Sequence, residues 1–312
     1  MPLSDIKKIA AEAADMVDGW SDDYGVAFSR SMNVTGGEPM LRGDLCEILG
    51  AIRKEGFDCY LLTNGTLVSN DAAKAFVDLG LKGVQVSIEG PEQVHEAIRG
   101  KGSFAAAASG IEHLVHAGLP VTINVTLSRL NASHMKPLIA LASHVGAKRL
   151  GFSRLVPAGK GRSLLPSMLQ PAEVKGLYQS LFQLEIRSLE IVTGDPIASQ
   201  MKKPVDGDTG RVAISGCSAG VSGLTILPNG NVTPCRRLPL SIGNVMKDSL
   251  REIWVTSSVL SALRDRSKYQ GKCGACDRWA QCRGCRAIAY AFSRAGGGND
   301  FLADDPQCFI DS

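Results

Sequence analysis

"NVTGGEPMLR", residues 33–42, decides the fold. A strand-type run, Met32 to Thr35, ends in two glycines, an acid and a proline, and an amphipathic helix pattern follows. The glycines permit backbone conformations that side-chained residues avoid, and Pro39 fixes φ and ends the strand's hydrogen bonding. A strand end of this kind exposes backbone groups and aims one carboxylate, Glu38, at a ligand.

The alternation continues on both sides of that stretch. "IKKIAAEAADMV" places Ile6, Ile9, Ala10, Ala13, Met16 and Val17 on one helical face. "DLCEILGAIRKEG" predicts a helix with Asp44 as N-cap and Gly56 as stop. "CYLLTNG", "GVQVSIEG", "PVTINVTLS" and "KRLGFSRLVP" read as further strands, separated by the helical patterns "NDAAKAFVDLG", "SFAAAASGIEHLVHAG" with Ser103 as cap, and "ASHMKPLIALASHVG". Five strands at intervals of roughly 25 to 35 residues are the spacing of βαβ units. Their near-continuous apolar character predicts an α/β fold with a parallel sheet covered on its outer face. Polar residues and glycines gather at the strand ends: Gly36-Gly37-Glu38, Thr63-Asn64-Gly65, Ser87 and Glu89, Asn124 and Thr126, Ser153 and Arg154. In a barrel those ends form one rim, where its ligand binds.

Composition sets the limits. The chain has 312 residues, 44% apolar and 21% charged, and a net charge of +3, which gives no reason to expect nucleic acid or an acidic membrane as partner. No apolar run approaches the roughly 20 residues of a membrane span, and no signal-peptide pattern opens the chain, so a cytoplasmic location is expected. Disulfides are not expected there. Of nine cysteines, Cys46 and Cys59 stand alone and read as small core residues. The other seven crowd into the last 96 residues. That shift predicts a domain boundary near residue 200, with 1–200 and 201–312 as the two domains and "PVDGDTG" at 204–210 in the linker.

"CGACDRWAQCRGC" sets Cys273, Cys276, Cys282 and Cys285 at C-x2-C-x5-C-x2-C. Two intervening residues let both sulfurs of a pair face one metal centre, as in zinc ribbons and iron–sulfur proteins alike. Soft thiolates at this density select zinc or iron–sulfur over hard cations. Cys217 and Cys235 flank a predicted hairpin turning at Pro228-Asn229-Gly230, and Cys308 follows. Seven ligands exceed the four that one zinc needs, so two centres are expected.

"GGEP", "LLTNGT", "VQVSIEGPEQVHEAIRG" and the tail C-x12-G-x4-C, C-x2-C-x5-C-x2-C and final Cys together resemble the radical SAM enzymes that carry a SPASM auxiliary-cluster domain. The resemblance covers nearly the whole chain. It implies a partial (β/α)6 TIM-like barrel lacking its first strand, followed by a small cysteine-rich domain. It also implies that Gly36, Gly37, Glu38 and Pro39 hold the amino group of S-adenosylmethionine, with Ser87 and Asn124 near its ribose and carboxylate and Arg154 pairing with that carboxylate. In the tail it implies one [4Fe–4S] cluster on Cys273, Cys276, Cys282 and Cys308, and a second on Cys217, Cys235 and Cys285. The x2 gap before Cys285 resembles the subgroup near haem-biosynthesis enzymes and peptide maturases. The activity implied is cleavage of S-adenosylmethionine to a 5′-deoxyadenosyl radical that modifies a peptide or tetrapyrrole, with an electron donor such as flavodoxin or ferredoxin.

The family holds a third, catalytic [4Fe–4S] cluster with C-x3-C-x2-C, and residues 1–35 contain no cysteine. Two explanations stand: an N-terminally shortened enzyme, which the intact "GGEP", "TNG" and tail cysteines favour, or a degenerate member without radical chemistry. The rival outside catalysis is a zinc- or cluster-bearing module that binds a peptide or protein partner.

Overall fold

The first helix, α1 (Leu3–Tyr24), buries Ile9, Ala10 and Ala14, residues that recur at helical spacing. In the computed structural model, which describes residues 1–184, 186, 188–201 and 215–310, six strands then follow in spatial order of sequence. They are β1 (Ser31–Val34), β2 (Asp58–Thr63), β3 (Gly83–Ser87), β4 (Val121–Leu127), β5 (Arg149–Arg154) and β6 (Glu190–Thr193). The first four pair in parallel, with Val34 opposite Leu61, Thr63 opposite Val86 and Ser87 opposite Asn124. Between the strands run α2 (Leu45–Lys54), α3 (Asn70–Asp78), α4 (Glu92–Arg99), α5 (Ser103–His116), α6 (Met135–His144) and α7 (Pro171–Phe182). The α/β parallel architecture is as the sequence predicts.

Several local expectations change. The sheet has a sixth strand, β6, and α4 and α7 are additional helices. Asp44 occupies the cap position of α2, but its carboxylate accepts from Arg42 at 2.8 and 2.7 Å and not from a helix N–H. Ser103 is the first helical residue of α5 and donates its hydroxyl back to Gly100 O at 2.6 Å; Gly102 stands at the cap. Cys59 is fully buried as expected, whereas Cys46 is exposed on α2. The strands are not apolar on both faces. Along β4, Val121, Ile123, Val125 and Leu127 are buried, while Thr122, Asn124 and Thr126 alternate with them half-buried. Period-two alternation turns polar side chains to one face of the sheet.

The chain divides into two compact units, each made of several segments. The first takes in Met1–Val125, Ser133–Gly151 and Ile186–Val192; the second takes in Thr126–Ala132, Phe152–Glu185 and Thr193–Ser312. The segment after β5 belongs with the C-terminal part because Arg154 and Tyr178 are locked there by Asp195 and Asp305 (below). The expected linker, 204–210, lies outside the described residues.

In the second unit the predicted hairpin forms. β7 (Thr225–Ile226), β8 (Asn231–Thr233) and β9 (Gly243–Asn244) make a small antiparallel sheet, with β7 and β8 joined through Pro228–Gly230. The helices α8 (Leu250–Thr256), α9 (Ser258–Arg264), α10 (Gly271–Ala275) and α11 (Arg286–Ala295) complete it. A core of Leu155, Val156, Met168, Leu238, Ile288 and Tyr290 encloses Cys217 and Cys285. Fully burying side chains of this size contributes roughly 1.5–3 kcal/mol each. Among the described residues, no helix is long and apolar enough to cross a membrane.

Candidate functional site

The strand-end cradle is built by Glu38. One carboxylate oxygen, Oε1, accepts from the Met40 N–H at 3.0 Å and from the Thr63 hydroxyl at 2.6 Å, and Oε2 accepts from the Asn64 N–H at 2.7 Å. Pro39 opens the turn Pro39–Leu41 and is itself buried, which fixes Glu38 at its head. The carboxylate thus joins the end of β1 to the end of β2. It makes no ion pair with a Lys or Arg among the described residues, and a carboxylate offers about four acceptor positions. One position and a full negative charge remain for a cation.

Gly36 and Gly37 do not adopt the backbone that the sequence suggests. Neither has a left-handed backbone. Each is exposed, and a Cβ built on either would meet nothing within 4 Å. Their effect is open space for a close backbone approach. The glycine of "TNG" does obey the conformational argument: Gly65 has φ +82°. Its carbonyl oxygen stands where a Cβ on Gly110 of α5 would have to go, so helix and strand end meet backbone to backbone.

Ser87 and Asn124 are direct cross-strand partners at the ends of β3 and β4, both half-buried. Neither side chain has a hydrogen-bond partner among the described residues. Gly151 leaves room beside them, since its Cβ would stand 3.3 Å from Asn124 Oδ1. Gln85 and Thr122 share the same face one step back along the strands, as do Asn33 and Tyr60 on β1 and β2. The polar alternation in "VTINVTL" was the signal for this face. Glu89 does not serve it: the residue is 3% exposed and its Oε1 accepts from Arg99 Nε at 3.0 Å and Nη2 at 2.6 Å.

Arg154 requires a correction. All five of its N–H donors are committed inside the second unit. Nε and Nη2 bond Asp195 at 2.7 and 2.9 Å, Nη1 and Nη2 bond Asp305 at 2.8 Å each, and Nη1 also reaches Gln307 Oε1 at 3.0 Å. Its side chain is 0% exposed. Burial alone would raise the Asp305 carboxyl, but the Arg154 guanidinium and the N–H groups of Cys285 and Gln307 hold it below the usual carboxylate range. No donor is left for a cofactor carboxylate, so Arg154 is a buried structural ion and not a ligand contact.

The cysteines form two groups. Cys273, Cys276, Cys282 and Cys308 line one cavity of about 260 Å³, bordered also by Trp279. Gln200 Nε2 lies 3.3 Å from Cys308 Sγ and 3.8 Å from Cys282 Sγ, so these two sulfurs flank one amide. Cys217, Cys235 and Cys285 pack instead in the second unit's apolar core. Burial pushes the Cys282 thiol up to about 11 and the Cys285 thiol up to about 12, so loading of a metal centre there releases protons. Among the described residues no three Cys, His, Asp or Glu side chains converge as they would around a single ion. Four thiols spaced around a cavity fit a polynuclear cluster, whose irons carry the ligands apart, better than one zinc with four sulfurs at about 2.3 Å. Trp279 Nε1 is buried without a hydrogen-bond partner at this cavity, a donor awaiting an acceptor.

Residues 7–142 match the family model of the radical SAM superfamily, and residues 217–286 match SPASM, an iron–sulfur cluster-binding domain. The chain is 32% identical over 288 residues to the AdoMet-dependent heme synthase of Nitratidesulfovibrio vulgaris, covering 88% of this chain and 77% of that protein. It is 30% identical over 288 residues to the mycofactocin maturase MftC of Mycobacterium tuberculosis, covering 89% and 70% respectively. Streptococcus suis SuiB bound to S-adenosylmethionine shares the fold, with a TM-score of 0.74 at 17% identity over 99% of this chain and 71% of that one. The chain belongs to the radical SAM superfamily and carries its SPASM domain. The two domains imply S-adenosylmethionine binding and iron–sulfur clusters.

Proposed function

We propose that the cradle at the ends of β1 and β2 binds the ammonium of S-adenosylmethionine on Glu38, with Gly36 and Gly37 giving the backbone access and Pro39 fixing the turn. Ser87 and Asn124 offer unsatisfied polar groups to the ribose and carboxylate of the same ligand. The observation that carries this reading is the Glu38 carboxylate, oriented by three hydrogen bonds and lacking any cationic partner among the described residues. An ammonium supplies the charge-assisted bond that the site leaves open.

In the second unit, Cys273, Cys276, Cys282 and Cys308 hold one [4Fe–4S] cluster and Cys217, Cys235 and Cys285 a second. The support is the shared cavity of the first set and the common packing of the other three. Iron–sulfur centres supply one-electron chemistry, and the chain's own part is to orient them and exclude water. The full 312 residues contain no C-x3-C-x2-C, so no residue is assigned to the cleaving cluster. The substrate class is a peptide or a tetrapyrrole, a reading supported by relatives named as a heme synthase and a peptide cyclase. Four thiols around one cavity favour a cluster over a single zinc.

The test is equilibrium binding of S-adenosylmethionine by calorimetry to the anaerobically purified chain and to Glu38→Gln. Loss of a charge-assisted bond weakens binding by about 1.5–3 kcal/mol, roughly ten- to a hundredfold. Equal affinity in both proteins overturns the assignment.

A further inference from the structure

The segment "CRGCR", residues 282–286, buries two guanidiniums. Arg283 is 2% exposed and Arg286 is 1% exposed. Among the described residues neither makes an ion pair with a carboxylate, because the two buried aspartates nearby are taken by Arg154. Arg283 donates to the carbonyls of Trp279, Ala280, Ser215 and Cys217, and so stitches the segment to its neighbours. Arg286 is different. Its Nη1 bonds the carbonyls of Ala303 at 2.7 Å and Phe301 at 3.3 Å, its Nη2 points at Cys273 Sγ from 3.6 Å, and its Nε has no partner.

An unpaired buried ion costs several kcal/mol, so a fold that keeps one supplies an anion for it. The backbone is shaped to hold this one. Arg283 alone among the described non-glycine residues has a positive φ, 61°, a conformation that L side chains rarely adopt. Gly284, at φ +59°, leaves the space: a Cβ there would stand 2.6 Å from Arg286 Nη2. The ring of Tyr269 packs against the guanidinium with its centroid 5.1 Å away. These contacts hold the guanidinium with Nη2 toward the Cys273 sulfur, yet a thiol is a poor acceptor and carries no charge.

We propose that Arg286 is the charge partner of the Cys273 thiolate when that sulfur ligates an iron–sulfur cluster, and that it raises the cluster's reduction potential. The inference rests on the assignment of Cys273, Cys276, Cys282 and Cys308 to one cluster. A reduced cluster carries one more negative charge than an oxidised one, so a fixed cation at this distance in a dry interior favours the reduced form. Arg286 is a positioning residue. It takes no part in bond making.

The experiment is a redox titration followed by EPR on the reconstituted chain, with Arg286→Gln, which removes the charge, and Arg286→Lys, which keeps it. For one couple, Arg286→Gln lowers the ratio of reduced to oxidised cluster at least tenfold at the wild-type midpoint, about 59 mV for one electron. Arg286→Lys stays within threefold of wild type. A wild type that takes up no iron defeats the cluster assignment itself. Full iron with an unmoved potential in Arg286→Gln defeats the inference and leaves the assignment standing. Should Arg286→Gln fail to fold, pulsed EPR of the wild type labelled with 15N-arginine decides: a guanidinium nitrogen coupled to the reduced cluster supports the pairing, and no coupling overturns it.

Discussion

Replacing Arg154 by Met removes one cation from between two buried carboxylates. Asp195 and Asp305 have side chains 3% and 1% exposed, so water cannot substitute for the lost partner. Each keeps some support: Tyr178 donates its hydroxyl to Asp195 at 2.8 Å, and the Cys285 N–H reaches Asp305 at 2.8 Å. Breaking a buried pair by removing one member costs about 3–5 kcal/mol, and the residual hydrogen bonds place this case inside that range rather than above it. Urea denaturation followed by tryptophan fluorescence reads the loss, since Trp254 and Trp279 both lie in the second unit. Arg154→Met combined with Asp195→Asn and Asp305→Asn removes the charges together, and most of the lost stability returns. The deficit also shrinks on acidification. Asp305 titrates below its unfolded value in the wild type, so the wild type loses that stability as pH falls through the folded pKa, and the variant has none of it to lose. A loss under about 1 kcal/mol, or weaker nucleotide binding at unchanged stability, refutes the structural role of Arg154 and restores it to the ligand site.

Three other outcomes are expected. Burial, with Arg99 beside it, lowers the His95 imidazole to about 4, so between the unfolded value near 6.5 and 4 the unfolded chain alone binds a proton. Stability of the first unit therefore falls by up to about 3 kcal/mol as pH drops through that window; urea midpoints of wild type and His95→Gln with equal pH slopes would falsify this. Gly110→Ala drives a Cβ into the Gly65 carbonyl and destabilises by about 1–3 kcal/mol in thermal melts; an unchanged melting temperature contradicts the contact. Gly36→Ala meets open space, so the melt is unaltered within about 0.5 kcal/mol while S-adenosylmethionine binding weakens; an unchanged affinity argues against close approach at this glycine.

What could be read from the residues follows the range of the interactions. The βαβ order and the hairpin at Pro228–Gly230 are local patterns, and the structure keeps them. The partners of Arg154 are 41 and 151 residues away, and no periodicity links such positions. An arginine at a strand end looks the same in sequence whether it faces a ligand or two distant aspartates. Arg286 is hidden for the same reason, because its sulfur and carbonyl partners come from α10 and from the chain after α11. The strand β6, four residues long, is too short for alternation to declare itself. At Gly36 and Gly37 the backbone is not left-handed and open space stands beside each, a vacancy that only the packing of distant segments creates.

The double duty of Glu38 makes occupancy visible from the protein backbone. The carboxylate proposed above to bind an ammonium also accepts from the amides of Met40 and Asn64, one on each side of the junction between two strands. Ligand capture and the pairing of that sheet margin are consequently a single linked equilibrium. Exchange of those two amide protons with deuterium should slow as the nucleotide is added, which turns a scaffold contact into a gauge of the bound state.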